Sequence, residues 1–172
     1  MFRAIRLANN RRTLLASRPI AHWEAASRAG IVRRQRRLRI IQRKEGMNEN
    51  EIGTIVVDCA VKLHKSLGPG LLETVYEVVL AKKLQKAGLS VQRQIPVPIQ
   101  FEEMVFDEGF RADLIVNGLV ILELKSIESI HPVHKKQLLT YLKLTRLKLG
   151  YLLNFGDELM KNGITRIING QL

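Results

Sequence analysis

The sequence predicts a single α/β domain with a mixed central sheet flanked by helices. Two apolar runs, Leu114-Ile115-Val116 and Leu119-Val120-Ile121-Leu122, flank Asn117-Gly118, a strong short-range hairpin signal. Both runs are almost continuously apolar, so the sheet they join should be covered on both faces. Helical spacing before and after the hairpin gives the order α-α-β-β-β-α-β-β for the chain beyond residue 47.

The first helix is predicted over residues 50–66, where Ile52, Ile55, Val56, Cys59 and Leu63 fall on one stripe. Cys59 is the only cysteine, which excludes an internal disulfide and fits a reducing cytoplasm. Its place on the stripe makes it a small core residue. Gly68-Pro69-Gly70 turns the chain into a second helix, from Leu71 to Lys86, stopped at Gly88. Residues 90–101 alternate as a strand, and Pro96 and Pro98 confine it to a sheet edge. Glu102, Glu103, Asp107 and Glu108 suggest a solvated acidic loop before the hairpin. His131-Pro132 opens a third helix with proline in its first turn, and Gly150 is its expected cap. Residues 151–155 and 164–168 complete the strands. No stretch of 18 apolar residues occurs, so no membrane span is expected.

Charges interrupt the hairpin's apolar pattern: Asp113 on its first strand, Glu123 and Lys125 on its second. Burying a charge is costly unless it is paired or holds a metal. Glu123 and Lys125 are two apart and share a face of the strand. A strict two-residue loop pairs Val116 with Leu119 and sets Asp113 opposite Leu122. A three-residue loop, with Gly118 as a left-handed bulge, pairs Val116 with Val120 and sets Asp113 opposite Glu123. The chemistry favours the second register, or a local bend at Asp113. Two converging carboxylates with a lysine beside them make a hard-oxygen site for Mg²⁺ or Mn²⁺. The competing reading is an ion pair that closes a hairpin.

Other polar residues fall into step with this group. Glu73 and Tyr76 share a helical face. Glu73 either favours the helix dipole or faces the hairpin carboxylates, and Tyr76 is read as core. Gln137 and Tyr141, four apart, share a face of the third helix. His64 is read as a satisfied core or surface histidine, with a place at the site as the lesser alternative. His134, Lys135, Lys136, Lys143, Arg146 and Lys148 give the third helix a basic face, either solvated or tracking a phosphate backbone.

The ordered set Asp113, Glu123-Leu124-Lys125, Gln137-x-x-x-Tyr141 resembles the core of the PD-(D/E)XK nuclease superfamily, in the branch with the QxxxY helix motif. Upstream, Gly70-Leu-Leu-Glu73-Thr-Val-Tyr76 matches the motif of the GxxExxY protein family, part of that superfamily. Ala112 stands where the superfamily name has proline. The resemblance spans residues 48–170 and implies a restriction-endonuclease-like core that cleaves nucleic acid, DNA in the first place. It implies Mg²⁺ or Mn²⁺ on Asp113, Glu123 and the Leu124 carbonyl, with Glu73 helping directly or through water. Lys125 is implied to act on the attacking water, and Gln137 and Tyr141 to hold the phosphate or its surroundings. A non-catalytic binding module on the same fold, and a small-molecule phosphohydrolase, are the alternatives.

The net charge of +12 looks like that of a nucleic-acid binder, but it is unevenly spread. Residues 1–46 carry twelve Arg and one Lys against two Glu, so residues 47–172 are left almost neutral at +1. A near-neutral body favours a protein partner, a second copy of the chain or a short substrate over strong autonomous DNA binding. The Arg-rich segment has three readings: a nucleic-acid arm, a targeting segment, or a disordered or extraneous extension before a start at Met47. The composition break and the start of the resemblance favour the third. Deleting residues 1–46 is therefore expected to leave the melting temperature unchanged. A large fall would refute that division of the chain, and weaker, less salt-dependent nucleic-acid binding would point to an arm.

Overall fold

A computed structural model describes residues 46–101 and 103–172, without the side chains of residues 100, 101 and 105–108. The expectation for residues 1–46 lies, up to residue 45, outside the described residues. Helices α1 (Glu49–Leu67) and α2 (Glu73–Lys86) precede strands β1 (Val91–Phe101), β2 (Met104–Val116) and β3 (Val120–Lys125). Helix α3 (Pro132–Thr145), strand β4 (Leu149–Asn154), the single turn α4 (Met160–Gly163) and strand β5 (Ile164–Ile168) follow. The five strands lie in the order β1-β2-β3-β4-β5, antiparallel except for β3 and β4. The predicted class and element order are both observed, with α4 added.

Helix α1 starts where its chemistry dictates. The Asn48 side chain accepts from the Glu51 amide at 3.0 Å, and Glu51 accepts from the Asn48 amide at 2.7 Å. This reciprocal cap satisfies two N–H groups that the first turn leaves unpaired. The predicted stripe is buried except for the partly buried Ile55: Ile52, Val56, Cys59 and Leu63 pack with α2 and with Leu114, Val116, Val120, Leu122 and Leu124 of the sheet. On the other face, α3 contributes Leu138, Tyr141 and Leu142 against Ala112, Ile115, Ile121 and Leu152. The sheet is therefore covered on both sides, as the apolar runs required.

Four details differ from the sequence reading, the smallest being that β4 runs Leu149–Asn154 instead of residues 151–155. Strand β2 begins at Met104, so Asp107 and Glu108 belong to a strand instead of an acidic loop. Polar residues are tolerated there because β3 pairs with β2 only from Leu114 onward, leaving the outer part as a two-stranded ribbon with β1. Helix α3 is capped by Arg146, left-handed at φ 59° and ψ 24°, instead of Gly150. Gly150 lies inside β4 for a packing reason: a Cβ there would come within 3.0 Å of Leu138 on α3. Helix α2 starts at Glu73, two residues later than expected. Strand β1 is at the sheet edge, and its register slips between Val97 and Ile99, at Pro98, as its prolines demanded. Among the described residues, no helix is long and apolar enough to cross a membrane.

The chain leaving β3 is tied to the end of β4. Phe155 N–H donates to the Lys125 carbonyl at 2.7 Å. The fully buried Asn154 side chain accepts from Ile127 N–H at 3.0 Å and donates to the Ile127 carbonyl at 2.8 Å. Gly156 lies so close to Ile127 that a Cβ would collide with its backbone. Gly156→Ala is thus expected to cost about 1–3 kcal/mol, the usual range for overpacking a filled site. Urea unfolding measures it, and an unchanged midpoint would show that the two segments can separate freely.

Candidate active site

The hairpin turn sets the register of everything around it. Asn117 and Gly118 both take left-handed backbone, at φ 49° and 66°. Asn117 is held in this conformation by Ser90, whose N–H donates to its side chain at 2.7 Å and whose carbonyl accepts its amide at 2.8 Å. Val116 pairs with Val120, so Leu119 is the extra loop residue. This is the three-residue register the charges favoured, with Asn117 as well as Gly118 left-handed.

The predicted bend at Asp113 is present too. The β2–β3 ladder ends at Leu114 opposite Leu122, and the next inward amide of β3, Leu124 N–H, donates to Asp113 Oδ2 at 2.8 Å. A side-chain carboxylate thus takes the place of a backbone rung. On the other side, β1 pairs Arg93 with Leu114 and Ile95 with Ala112, omitting Gln94 and Asp113 between them. Gln94 has φ 50°, rare for a residue with a side chain. Both strands change phase here: Leu114 and Ala112 are two apart yet join cores on opposite faces. Asp113 therefore stands at a kink shared by β1 and β2.

Glu123 follows Ile121 on the α3 face and is only 3% exposed. Its Oε1 accepts from Lys125 Nζ at 2.8 Å, while its buried Oε2 has no hydrogen-bond partner. Burial, then the Asp113 charge, pushes the Glu123 carboxyl up to about 7 against the pull of Lys125. Burial also raises Asp113 above the usual carboxylate range, opposed by the Leu124 N–H and Lys125. Burial works against the Lys125 charge, but its bond to Glu123 and the nearby carboxylates outweigh that, holding the ammonium above its ordinary value. The three residues singled out by sequence thus converge, and each charge shifts the others.

Glu73 comes to the end of β3 from α2. Its Oε1 accepts from Ser126 N–H at 3.0 Å, and Ser126 Oγ donates to the Leu71 carbonyl at 2.7 Å. Tyr76 is fully buried, stacks on Phe155 with centroids 4.4 Å apart, and donates to the Gly68 carbonyl at 2.6 Å. Its oxygen also accepts from Leu71 N–H at 3.2 Å. The G-x-x-E-x-x-Y spacing therefore acts as a clasp: the buried phenol fixes the turn from which Glu73 reaches the hairpin. His64 is buried, with Nε2 2.8 Å from the Asp157 carbonyl, and takes the structural role.

Helix α3 closes the other side. Gln137 Nε2 donates to Tyr141 Oη at 2.6 Å. Burial, followed by the Glu123 charge, raises the Tyr141 phenol above its ordinary value. A pocket of about 370 Å³ is lined by Pro96, Gly109, Phe110, Arg111, Glu123, Gln137 and Tyr141. The sequence reading did not include Phe110 and Arg111, although Arg111 precedes Asp113 by two. No hydrogen bond or ion pair is found for Arg111 among the described residues. Lys135, Lys136 and Lys143 of the basic face are solvent-exposed.

The donors suit a hard divalent cation of limited protein coordination. Among the described residues no three His, Cys, Asp or Glu side chains form a group that could hold a metal ion. The acidic donors are Asp113 and Glu123, and among the described residues the buried Glu123 Oε2 has no hydrogen-bond partner. Mg²⁺ keeps several waters and binds through one or two carboxylates plus phosphate oxygens, so a two-carboxylate set is compatible with it.

Comparison with curated proteins finds no match, and neither does comparison with solved structures. The model of the PD-(D/E)XK nuclease superfamily matches residues 50–167. That span holds α2, the kinked hairpin, α3 and β4, with Glu73, Asp113, Glu123, Lys125, Gln137 and Tyr141, and the chain belongs to the PD-(D/E)XK nuclease superfamily.

Proposed function

We propose that the protein is a divalent-metal-dependent nuclease of the QxxxY and GxxExxY type, with residues 47–172 as its catalytic unit and DNA as its first candidate substrate. The observation that carries this reading is the buried, unpartnered Glu123 Oε2 beside Asp113 at the floor of an open pocket. A fold that needed only an ion pair would have no use for a second carboxylate there.

Asp113 and Glu123 would hold Mg²⁺ or Mn²⁺, with the Leu124 carbonyl as a further donor and Glu73 acting through water, since one of its oxygens is taken by Ser126. When bound, such an ion supplies charge neutralisation at the phosphate and a water of lowered pKa. Lys125, anchored on Glu123, orients the attacking water and faces the charge that develops in the transition state. Arg111 lines the pocket, has no bonded partner among the described residues, and would hold a phosphate oxygen. Gln137 and Tyr141 bond to each other and present an amide and a phenol to the same pocket, so they fix the phosphate or a water beside it.

A second reading is favoured by one contact. The Lys125–Glu123 bond is already formed at 2.8 Å, as a purely structural pair would be. That reading makes the protein a non-catalytic nucleic-acid-binding or interaction module. Cleavage assays with Mg²⁺, Mn²⁺ or EDTA separate the two. A nuclease loses cleavage in Asp113→Asn, Glu123→Gln and Lys125→Ala, and Mg²⁺ raises the melting temperature of the wild type but not of the carboxylate variants. Arg111→Ala should raise KM and leave kcat nearly unchanged. A wild type whose melting temperature ignores metal, without cleavage and with destabilised variants, makes the group structural.

Stability against pH gives an independent check. In the metal-free folded protein Glu123 keeps its proton up to about 7, whereas the unfolded chain releases it near 4.5. The folded state binds the extra proton across that window. Its stabilisation is full below the window and is lost as pH rises through 7, a change of about 3 kcal/mol at most. In EDTA the wild type should therefore lose stability relative to Glu123→Gln as pH rises through this window. Parallel melting curves for the two proteins would contradict the burial of an uncompensated carboxyl.

A further inference from the structure

We propose that Glu77 and Gln94 are positioning residues that fix the Asp113 carboxylate for cation binding, an inference that rests on the nuclease reading above. Glu77 is 4% exposed and lies on α2 one turn beyond Glu73. A carboxylate buried that deeply needs partners, and it has two. Arg93 Nε donates to Glu77 Oε1 at 2.8 Å, and Gln94 Nε2 donates to Oε2 at 2.7 Å. The same Gln94 nitrogen lies 3.4 Å from Asp113 Oδ1. An amide nitrogen carries two hydrogens, so one can serve each carboxylate.

The backbone points the same way. Gln94 holds φ 50° at the step where the β1–β2 ladder omits Gln94 and Asp113. A strained backbone at a non-glycine residue persists where its surroundings over-determine it, and the bond to Glu77 supplies that constraint. With Leu124 N–H on Oδ2 and the Gln94 amide beside Oδ1, both Asp113 oxygens face neutral donors. Neutral donors fix a carboxylate's orientation and leave its charge available for a cation. An arginine or lysine at position 94 would neutralise it instead. Arg93 pairs with Glu77 at 2.8 Å, yet the Glu77 charge still adds to the upward push on Asp113.

Gln94→Gly is the decisive variant, because glycine adopts positive φ freely. The kink survives and only the amide is lost. Manganese binding to the full chain by calorimetry, with no nucleic acid present, is the first measurement. The expected result is a folded protein with a lowered melting temperature, because Glu77 Oε2 loses its partner as well, and a manganese dissociation constant raised roughly 10–100-fold, the usual effect of losing a residue that orients a metal ligand. In cleavage assays kcat should fall while KM for the oligonucleotide stays put, and higher manganese should restore the rate. Glu77→Gln, which keeps the shape, should shift manganese affinity in the same direction by less. A Gln94→Gly protein that binds manganese like the wild type overturns the proposal even if nuclease activity is found. A wild type that binds manganese but cleaves nothing removes the nuclease reading and leaves the positioning role to be judged by calorimetry. A wild type that binds no manganese overturns both.

Discussion

The hydrogen bond from Leu124 N–H to the Asp113 carboxylate is the contact on which the site depends. An antiparallel ladder tends to run on once begun, since each further rung satisfies two backbone groups that would otherwise need partners. Here the run stops because a side chain has taken the next donor. β2 is released from β3, and its outer part pairs with β1 alone. The pocket occupies the space between that ribbon and α3, with Glu123 at its floor. Had the backbone rung formed, the same residues would have made an ordinary closed sheet.

The cost of this arrangement falls on Glu123. Its carboxyl is buried beside another carboxylate, and one lysine answers only one of its oxygens. Such a group destabilises the fold when ionised, and the two core layers on either side of the sheet must carry that burden. Helices α1 and α2 bury a continuous apolar stripe under β2, β3 and β4, far more than a single unfavourable charge can undo. Both faces of the sheet contribute buried core, and Glu123 lies on the α3 face.

Much of this was legible in the sequence, and for reasons that can be named. The Asn117-Gly118 pair marked the hairpin, and the charges decided between its two registers. The α1 stripe read directly as a buried face because nearly every member was aliphatic. Gln94 gave no such warning: nothing in a glutamine's propensity announces positive φ, which comes from a bond to Glu77 seventeen residues earlier. Gly150 misled for the opposite reason, since a glycine after a helix looks like a cap, while here it makes room for Leu138. Glu77 was within reach, four residues beyond Glu73 on the same helical face, but its burial depends on how α2 meets β1.

The tight seam between β3 and β4 has a bearing on how the protein can diversify. Gly156 touches the Ile127 backbone, Gly163 touches the Asn154 carbonyl, and the Asn154 amide fills the remaining gap. Even a methyl group has no place along that line, so a substitution there must shift the backbone. The β1–β2 ribbon and the solvent side of α3 are under no such restriction: Arg111, Lys135 and Lys136 are exposed there. Substitutions that reshape the pocket are therefore tolerated on the ribbon and on α3, and not along the seam that holds the Lys125 carbonyl.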